Sequence, residues 1–317
     1  MAIFVWAGIM PAQAAGLEMV KDTKQPEPKY VGSFFDTKVP EENYFFIKGV
    51  IAVFGNKFGK QPTNPQEIED AVWDQLLLSF EAFRESINVD KEEVDVEVSK
   101  ILQAEHVEFD WMKDKAAYEK WLKGKANEPP SLFESQIHHL IQLKKLREKI
   151  MAGIEPTVTD DEALDGFINE NSSLDLELVQ FDKESDARDF YNKVRANSSE
   201  WDKEKAKRPK DFRRPGGVTA QFLIDFWSIP AKALHEMSNM KPGEFYGPKP
   251  IYKGWGLFKV LGATAADESK FNEVKERYRE KVKAGKRYEG FNDWFKKLKE
   301  DAKINVYPVG TENKDKK

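Results

Sequence analysis

The chain has 317 residues, of which 40% are hydrophobic, 33% are charged and none is cysteine. This length predicts two domains with real hydrophobic cores. The lack of cysteine excludes disulfides, thiolate nucleophiles and cysteine-ligated metal sites, and it suits an oxidising compartment. A net charge of −5, from 50 basic and 55 acidic residues, argues against a nucleic-acid-binding protein, whose binding domain would be strongly basic.

A short apolar segment at the N-terminus predicts export. Residues 2–10 are apolar, and Ala12-x-Ala14 follows with the small-residue spacing of a signal-peptidase site. The segment lacks a positively charged start, and it is shorter than the roughly 20 residues that a helix needs to cross a bilayer. We predict a signal-peptide-like segment at 1–15 and an exported, periplasmic or extracytoplasmic protein. The alternative is a disordered apolar tail.

The next part of the chain predicts a leader and then an apolar element. Residues 16–43 are rich in Lys, Asp, Pro and Gly, and Pro26 and Pro28 remove backbone donors and fix φ. We therefore predict a leader or linker without regular structure over 16–43. Residues 44–54 are apolar enough for a strand or a buried helix, and their periodicity does not separate the two.

Hydrophobic periodicity predicts an all-helical region from 65 to 170. Apolar residues recur every three or four positions after Asn64, which predicts a helix of about six turns. A short helix is predicted at 113–123. Other helix starts are indicated by a capping residue with Glu three positions later, at Asp90 and Glu93, Ser131 and Glu134, and Thr159 and Glu162. Segment 44–171 is thus predicted as a helical domain.

An α+β module is predicted at 172–263. Leucines alternate with other residues between Leu174 and Leu178, with the period of two that is typical of a strand. A short amphipathic helix is predicted through Ala187, followed by a charged loop. A helix starting at Pro230 and a glycine-rich hairpin complete the module.

Helical periodicity returns in the C-terminal part of the chain. Two helices are predicted in 267–302, with a break near Gly285 and Gly290. So much aromatic surface would not be stable on an isolated helix pair, so we expect segment 264–307 to dock on the first helical region and complete it. The α+β module is then an insertion. Residues 308–317 are polar and predicted to be disordered.

Several motifs resemble a family of exported folding factors. Residues 240–248 (MKPGEFYGP) and 254–260 (GWGLFKV) resemble the closing turn and hairpin of a parvulin-type prolyl isomerase domain. Residues 156–162 (PTVTDDE) and 304–306 (INV) are similar to the linker and the closing strand of the SurA, PrsA and PpiD chaperones. In that group a parvulin domain interrupts a helical chaperone domain. The resemblance covers 65–307 and implies an α+β fold, with a helical chaperone domain completed by C-terminal helices and an inserted parvulin-like domain.

The resemblance also implies two histidines that this sequence lacks. Glu177 stands where the first strand of a parvulin domain carries histidine, and Gly256 stands where the last strand does. Prolyl isomerisation needs no covalent chemistry, so this loss alone does not abolish it. A polar network that lacks both members should, however, lose the shape of its pocket. We therefore predict a chaperone for unfolded or extended segments with an inactive parvulin-like domain. The alternatives are an active prolyl isomerase and a structural subunit of an envelope complex.

The aromatic content of the chain points to candidate client-binding residues. It contains 22 Phe, 8 Trp and 9 Tyr, and a chaperone needs some such surface exposed. Core packing is the alternative for each residue. The candidates are Phe80, Phe83 and Trp121 in the helical region and Phe226, Trp227, Met237, Phe245, Tyr246 and Trp255 in the parvulin-like region.

The remaining polar motifs indicate few further sites. Seven basic residues in 203–214 predict a basic loop, which is either simply solvated or a docking patch for an anionic client or a membrane surface. Adjacent His138 and His139 point about 100° apart on a helix and cannot share one metal ion in the usual way. His106 and His235 lack the spacing of a zinc site. We expect no cofactor and no metal, and the oligomeric state stays open.

Overall fold

The described residues, 29–307 of this computed structural model, form two compact units. Unit 1 contains the described residues up to Ile154 and those from Tyr288 onward, and unit 2 is Glu155–Arg287. The chain therefore leaves a mostly helical unit, builds an α+β unit and returns. This confirms the predicted α+β fold class with an inserted domain. The predicted signal segment 1–15 and the tail 308–317 lie outside the described residues.

A β-hairpin and a run of helices come first, and helices alternate with short strands after them. In chain order they are β1 Tyr30–Phe34, β2 Thr37–Pro40, α1 Glu41–Phe54, α2 Pro65–Arg84, α3 Lys91–Ala104, α4 Lys115–Lys125, α5 Pro130–Ala152, α6 Asp160–Asn171, β3 Ser173–Phe181, α7 Glu184–Ala196, α8 Ser199–Lys207, β4 Phe212–Thr219, α9 Ala220–Trp227, α10 Ala231–Ser238, β5 Phe245–Pro250, β6 Trp255–Thr264, α11 Phe271–Ala302 and β7 Asn305–Val306. Single turns of 3₁₀ helix lie at Pro209–Asp211 and Glu268–Lys270.

The end of the predicted leader is a β-hairpin. Strands β1 and β2 pair antiparallel, and β7 joins the other edge of β1 through Gly32 and Val306. The prediction of an irregular leader was wrong here, because Pro26 and Pro28 precede the hairpin and leave its donors intact. Phe34 and Val39 are buried against α1 and α2. The predicted closing strand at 304–306 is confirmed, and it ties the C-terminal part of unit 1 to the hairpin.

Capping side chains start α2, α3 and α4, whereas α1 and α5 begin without one. The side chain of Asn64 accepts a hydrogen bond from the backbone N–H of Glu67 at 2.9 Å. At α3, the Glu93 carboxylate accepts from the Asp90 N–H at 2.9 Å. Helix α5, in contrast, begins at Pro130, so Ser131 lies inside the helix and its predicted cap is not formed. Proline is favoured at the first helical position because the N–H there has no partner in any case. The apolar stretch 44–54 is helical.

The C-terminal part of the chain forms one continuous helix, where two were predicted. Gly285 and Gly290 lie inside α11. Glycine costs about 1 kcal/mol in a helix interior, but it also permits close packing. A Cβ added at Gly290 would lie 3.0 Å from Ile154 Cδ1, so this glycine lets the two segments meet. Further along α11, Phe291 is buried with Leu78, Leu143 and Leu146.

The borders between the two units lie at 154/155 and 287/288, whereas the domain borders predicted from the sequence lie at 171/172 and 263/264. Residues 155–171 and 264–287 belong to unit 2, although their helical pattern resembles that of unit 1. The reason lies in their packing, since Phe167 of α6 contacts the rings of Phe271 and Tyr278 at the start of α11. Lys283 pairs with Glu155 at 3.1 Å in the same region.

Unit 2 is an antiparallel sheet with helices on both faces. The strand order is β4-β3-β6-β5. Helices α9 and α10 cover the face that carries Leu176 and Phe258, and α7 and α8 cover the face that carries Val179 and Leu257. The predicted basic loop is instead mostly α8 and β4, because Trp201 anchors this segment on the sheet. Both outer strands contain proline, which lacks a backbone donor and hinders the addition of another strand.

Candidate functional site

The two positions that should carry the parvulin histidines lie on opposite faces of the sheet. Glu177 pairs with Lys259, and Gly256 pairs with Gln180. Side chains of paired residues share a face, and successive residues alternate between faces. Glu177 therefore faces α7 and α8, whereas Gly256 lies on the side of α9 and α10. Side chains at these two positions do not meet in one hydrogen-bond network.

Glu177 is a buried carboxylate that pairs with a half-exposed lysine. The residue is 7% exposed, and its carboxylate accepts a hydrogen bond from Trp201 Nε1 at 2.6 Å and pairs with the Lys205 ammonium. Burial has the largest single effect and raises the pKa of Glu177, but the hydrogen bonds from Lys205 and Trp201 together outweigh it. The pKa is therefore lowered, and Glu177 is ionised at neutral pH. This pair holds α8 against the sheet.

Gly256 lies in a tightly packed part of the other face. A Cβ added there would lie 2.8 Å from Phe258 Cζ and 3.1 Å from Ile251 Cγ2. Real Cβ atoms do not approach other atoms as closely as the first distance, so a side chain at this position requires the buried Phe258 ring to move. The face therefore has no space for an imidazole in this arrangement.

Exposed aromatic side chains lie at the C-terminal end of α9. Phe226 is 71% exposed and stacks on Phe222, with 4.6 Å between ring centroids. Tyr252, in the turn between β5 and β6, is 75% exposed, and its backbone N–H donates to the carbonyl of Trp227 at 3.3 Å. We call Phe222, Phe226, Trp227 and Tyr252 the aromatic ridge, in which Trp227 is partly buried against the core under α9 and α10. Of these, Phe226 and Trp227 were predicted from the sequence, and Phe222 and Tyr252 were not.

The other predicted residues of unit 2 do not join the ridge in a single pocket. Met237 is fully buried in the core under α10, so it has no surface to offer a client. Phe245 and Trp255 pack on the α7 and α8 face, where Phe245 lies 5.3 Å from the ring of Trp201. Tyr246 is on the opposite face, and its hydroxyl bonds to the Glu236 carboxylate.

In unit 1, one of the three predicted residues is well exposed. Phe80 packs between the rings of Phe34 and Phe35, at centroid distances of 5.2 Å and 5.8 Å. Trp121 packs edge-on against Phe133 at 6.4 Å. Phe83 is 48% exposed and borders a cavity. Phe80 and Trp121 thus contribute mainly to cores.

The cavity beside Phe83 is formed by helices of unit 1 alone. It has a volume of about 450 Å³ and opens between α1, α2, α3 and α5. Its lining combines apolar side chains with polar and charged ones, and no single part of the sequence contains them all. The residues are Asn43, Phe46, Ile47, Leu76, Ser79, Phe83, Val89, Lys91, Val94, Asp95, Ser131, Glu134, Ser135, His138, His139 and Gln142.

The histidines in this cavity have no catalytic arrangement. His139 is buried, and burial lowers its pKa to about 3, so it is neutral at pH 7. Its Nδ1 lies 3.4 Å from Ser79 Oγ, but the Ser79 hydroxyl donates to the backbone carbonyl of Gln75 at 2.7 Å. That serine is therefore not prepared as a nucleophile. His138 is half-buried, and burial is the main cause of its lowered pKa.

Acidic neighbours neutralise much of the basic segment 203–214. Lys203 pairs with Glu200 at 2.7 Å, and Arg214 pairs with Asp175 at 2.8 Å. Lys205, Lys207 and Arg208 also have acidic partners. Within the described part of the chain, Lys210 and Arg213 have no ion pair. Such a surface is far less basic than the sequence alone indicated.

Among residues 29–307, no group of three or more His, Asp or Glu side chains is placed to hold a metal ion. The helices of this range are all too short or too polar to span a bilayer.

Comparison with known proteins identifies similar structures but no matching sequence family. No family model and no curated protein matches the chain. One similar structure comes from work on PEB4 and the periplasmic protein Cj1289, two SurA-like chaperones of Campylobacter jejuni. It has 16% identity and a TM-score of 0.38, and the match covers 89% of this chain and 99% of that one.

Two PrsA proteins are also similar. The peptidylprolyl isomerase PrsA of Bacillus anthracis has 15% identity and a TM-score of 0.42, with 74% of this chain and 97% of that chain covered. PrsA of Bacillus subtilis has 14% identity and a TM-score of 0.26, with 92% and 97% covered. These structures belong to the same group that the sequence motifs resemble.

Proposed function

We propose that the protein is an exported chaperone that holds unfolded or extended polypeptide segments, and that unit 2 does not catalyse prolyl isomerisation. The aromatic ridge is the observation that carries the proposal. Exposed aromatic side chains that lie together are uncommon on soluble proteins and mark interaction surfaces. Aromatic residues also contribute most strongly to binding at such surfaces. The cavity of unit 1, with Phe83 at its border, offers a second apolar surface.

Suppression of aggregation tests the holding function. An unfolded outer-membrane protein is diluted into buffer with the full chain, and light scattering is followed. We expect the wild type to suppress scattering and a Phe226→Ser, Tyr252→Ser double variant to lose much of that activity. Tyr288→Ser is the matched control, because Tyr288 is 47% exposed but lies outside the ridge.

One result would contradict the holding function, and another would contradict the role of the ridge. A wild type that leaves the scattering unchanged would favour a purely structural subunit. A double variant as active as the wild type would show that the ridge does not bind clients. Phe226, Tyr252 and Tyr288 all have exposed side chains, so we expect the double variant and the control variant to fold normally.

Prolyl isomerisation is the second candidate, because the sequence resembles the parvulin hairpin. The packing around Gly256 and the opposite orientation of Glu177 support an inactive domain. A proline-peptide exchange assay distinguishes the two functions. Catalysis above background that Trp255→Ala abolishes would replace our proposal with an active isomerase.

A further inference from the structure

The cavity of unit 1 contains a carboxylate without a cation. Glu134 on α5 is half-buried, and among the described residues it has neither an ion pair within 4.0 Å nor a hydrogen bond. Asp95 on α3 lines the same cavity and pairs with Lys91 at 2.7 Å. The Lys91 side chain is 75% exposed, and such exposed pairs are weak. The charged side chains that line the cavity are Lys91, Asp95 and Glu134, so they sum to one negative charge.

The electrostatic effects at Glu134 agree with this geometry. Burial is the largest effect and raises the pKa of the Glu134 carboxyl, while Lys115 and Lys91 lower it by a smaller amount. A partly desolvated carboxylate is unfavourable until a positive group approaches it. Hydrogen bonds between a cation and a carboxylate are stronger than those between neutral groups.

Much of the remaining lining of the cavity is apolar. Phe46 and Ile47 of α1, Leu76 and Phe83 of α2 and Val94 of α3 contribute to it. The volume of about 450 Å³ lies within the range of sites that enclose small ligands. It has space for a few side chains and none for a folded element. An occupant must therefore combine apolar groups with a positive charge.

We propose that the unit 1 cavity binds an extended client segment in which lysine or arginine stands next to bulky apolar residues. The cation lies against Glu134 and Asp95, and the apolar side chains contact Phe46 and Phe83. An acidic segment of the same length is disfavoured by repulsion from the two carboxylates. This inference rests on the proposed holding of clients and specifies which segments unit 1 selects.

Three fluorescent peptides test the selection on the full-length protein. They have the same length and apolar residues, and they carry Lys, Gln or Glu at the central position. Fluorescence anisotropy gives their dissociation constants. We expect the Lys peptide to bind about tenfold more tightly than the Glu peptide, with the Gln peptide between them.

Two matched variants show whether the cavity is responsible. Glu134→Gln should weaken the Lys peptide about threefold to tenfold and leave the Gln peptide unchanged. Glu97→Gln is the control, because Glu97 on α3 has a side chain that is 43% exposed, pairs with Lys100 at 3.0 Å and does not line the cavity. Glu134 has no partner to lose, so its variant should unfold at the wild-type temperature or above.

The outcomes separate this inference from the proposed function. Equal affinity for all three peptides, or equal effects of Glu134→Gln and Glu97→Gln, would reject the selection of basic segments. If the wild type still suppresses aggregation in that case, the holding function stands. A protein that neither binds any peptide nor suppresses aggregation would overturn both.

Discussion

Replacing Gly256 with histidine tests whether unit 2 has lost the parvulin site through its packing and not merely through one residue. The Gly256→His variant restores the residue type that the family motif carries. In this structure, however, the new Cβ would lie 2.8 Å from Phe258 Cζ, about 0.6 Å inside ordinary contact. The Phe258 ring is fully buried, so it cannot turn out into solvent without exposing apolar surface.

The expected loss of stability follows from three contributions. Overpacking a core costs about 1–3 kcal/mol, and burying an imidazole without a hydrogen-bond partner costs about 1–3 kcal/mol more. Removing glycine from a strand returns about 0.5–1 kcal/mol. We therefore expect the free energy of unfolding of unit 2 to fall by about 3 kcal/mol and its midpoint temperature to fall by about 10 °C. Gly256→Ala should lose about 1 kcal/mol.

Hydrogen exchange of the β6 amides in the native protein measures this change for unit 2 specifically. Gly262→His is the matched control, since a Cβ at Gly262 on the same strand meets only Asp175 Cβ, at 3.9 Å. That control should change stability by less than about 1 kcal/mol. Neither histidine variant should catalyse prolyl isomerisation. If Gly256→His is as stable as the control, or gains isomerase activity, our account of this face is wrong.

Three further predictions concern other parts of the chain. The pKa of Glu177 is lowered by folding, so the contribution of its carboxylate to stability is complete above the unfolded pKa of about 4.3 and is lost as the pH falls below that value. Between about pH 5 and pH 3, the Glu177→Gln variant should therefore lose less free energy of unfolding than the wild type, measured by urea unfolding at each pH. Asn64→Ala removes the cap that binds the Glu67 N–H and should lower the free energy of unfolding of unit 1 by about 1 kcal/mol, and an unchanged value would contradict the role of this cap. Expression in a bacterial host should yield mature protein that starts at Ala15, detected by mass spectrometry, whereas an intact N-terminus would reject the predicted signal segment.

Local chemistry made much of the fold predictable from the sequence. The capping pairs of Asp90 with Glu93 and of Thr159 with Glu162 start helices as expected, because each pair satisfies orphan donors within a few residues. The alternation from Leu174 to Leu178 predicts β3 correctly because it reports one buried face. Ser131 failed as a cap because its neighbour Pro130 is a better start.

The candidate site was less predictable, because it depends on which side chains meet. Met237 and Phe80 were reasonable candidates by residue type, yet both pack in cores. The signal for Phe222 was present in the sequence, since the apolar residues of α9 cover more than half of its circumference over only two turns and cannot all be buried. Tyr252 carried no comparable signal, because its exposure results from the turn between β5 and β6.

The sequence by itself determined the helix starts at Asp90 and Thr159, the strand period and the order of a helical region, an α+β insertion and a returning helical segment. Those features depend on interactions among residues a few positions apart. Only the tertiary structure decided that Glu177 and Gly256 face opposite ways and that Asp95 and Glu134 share a cavity. The reason is that strand register and helix packing are set by contacts between distant segments, and a shift of one residue in register moves a side chain to the other face.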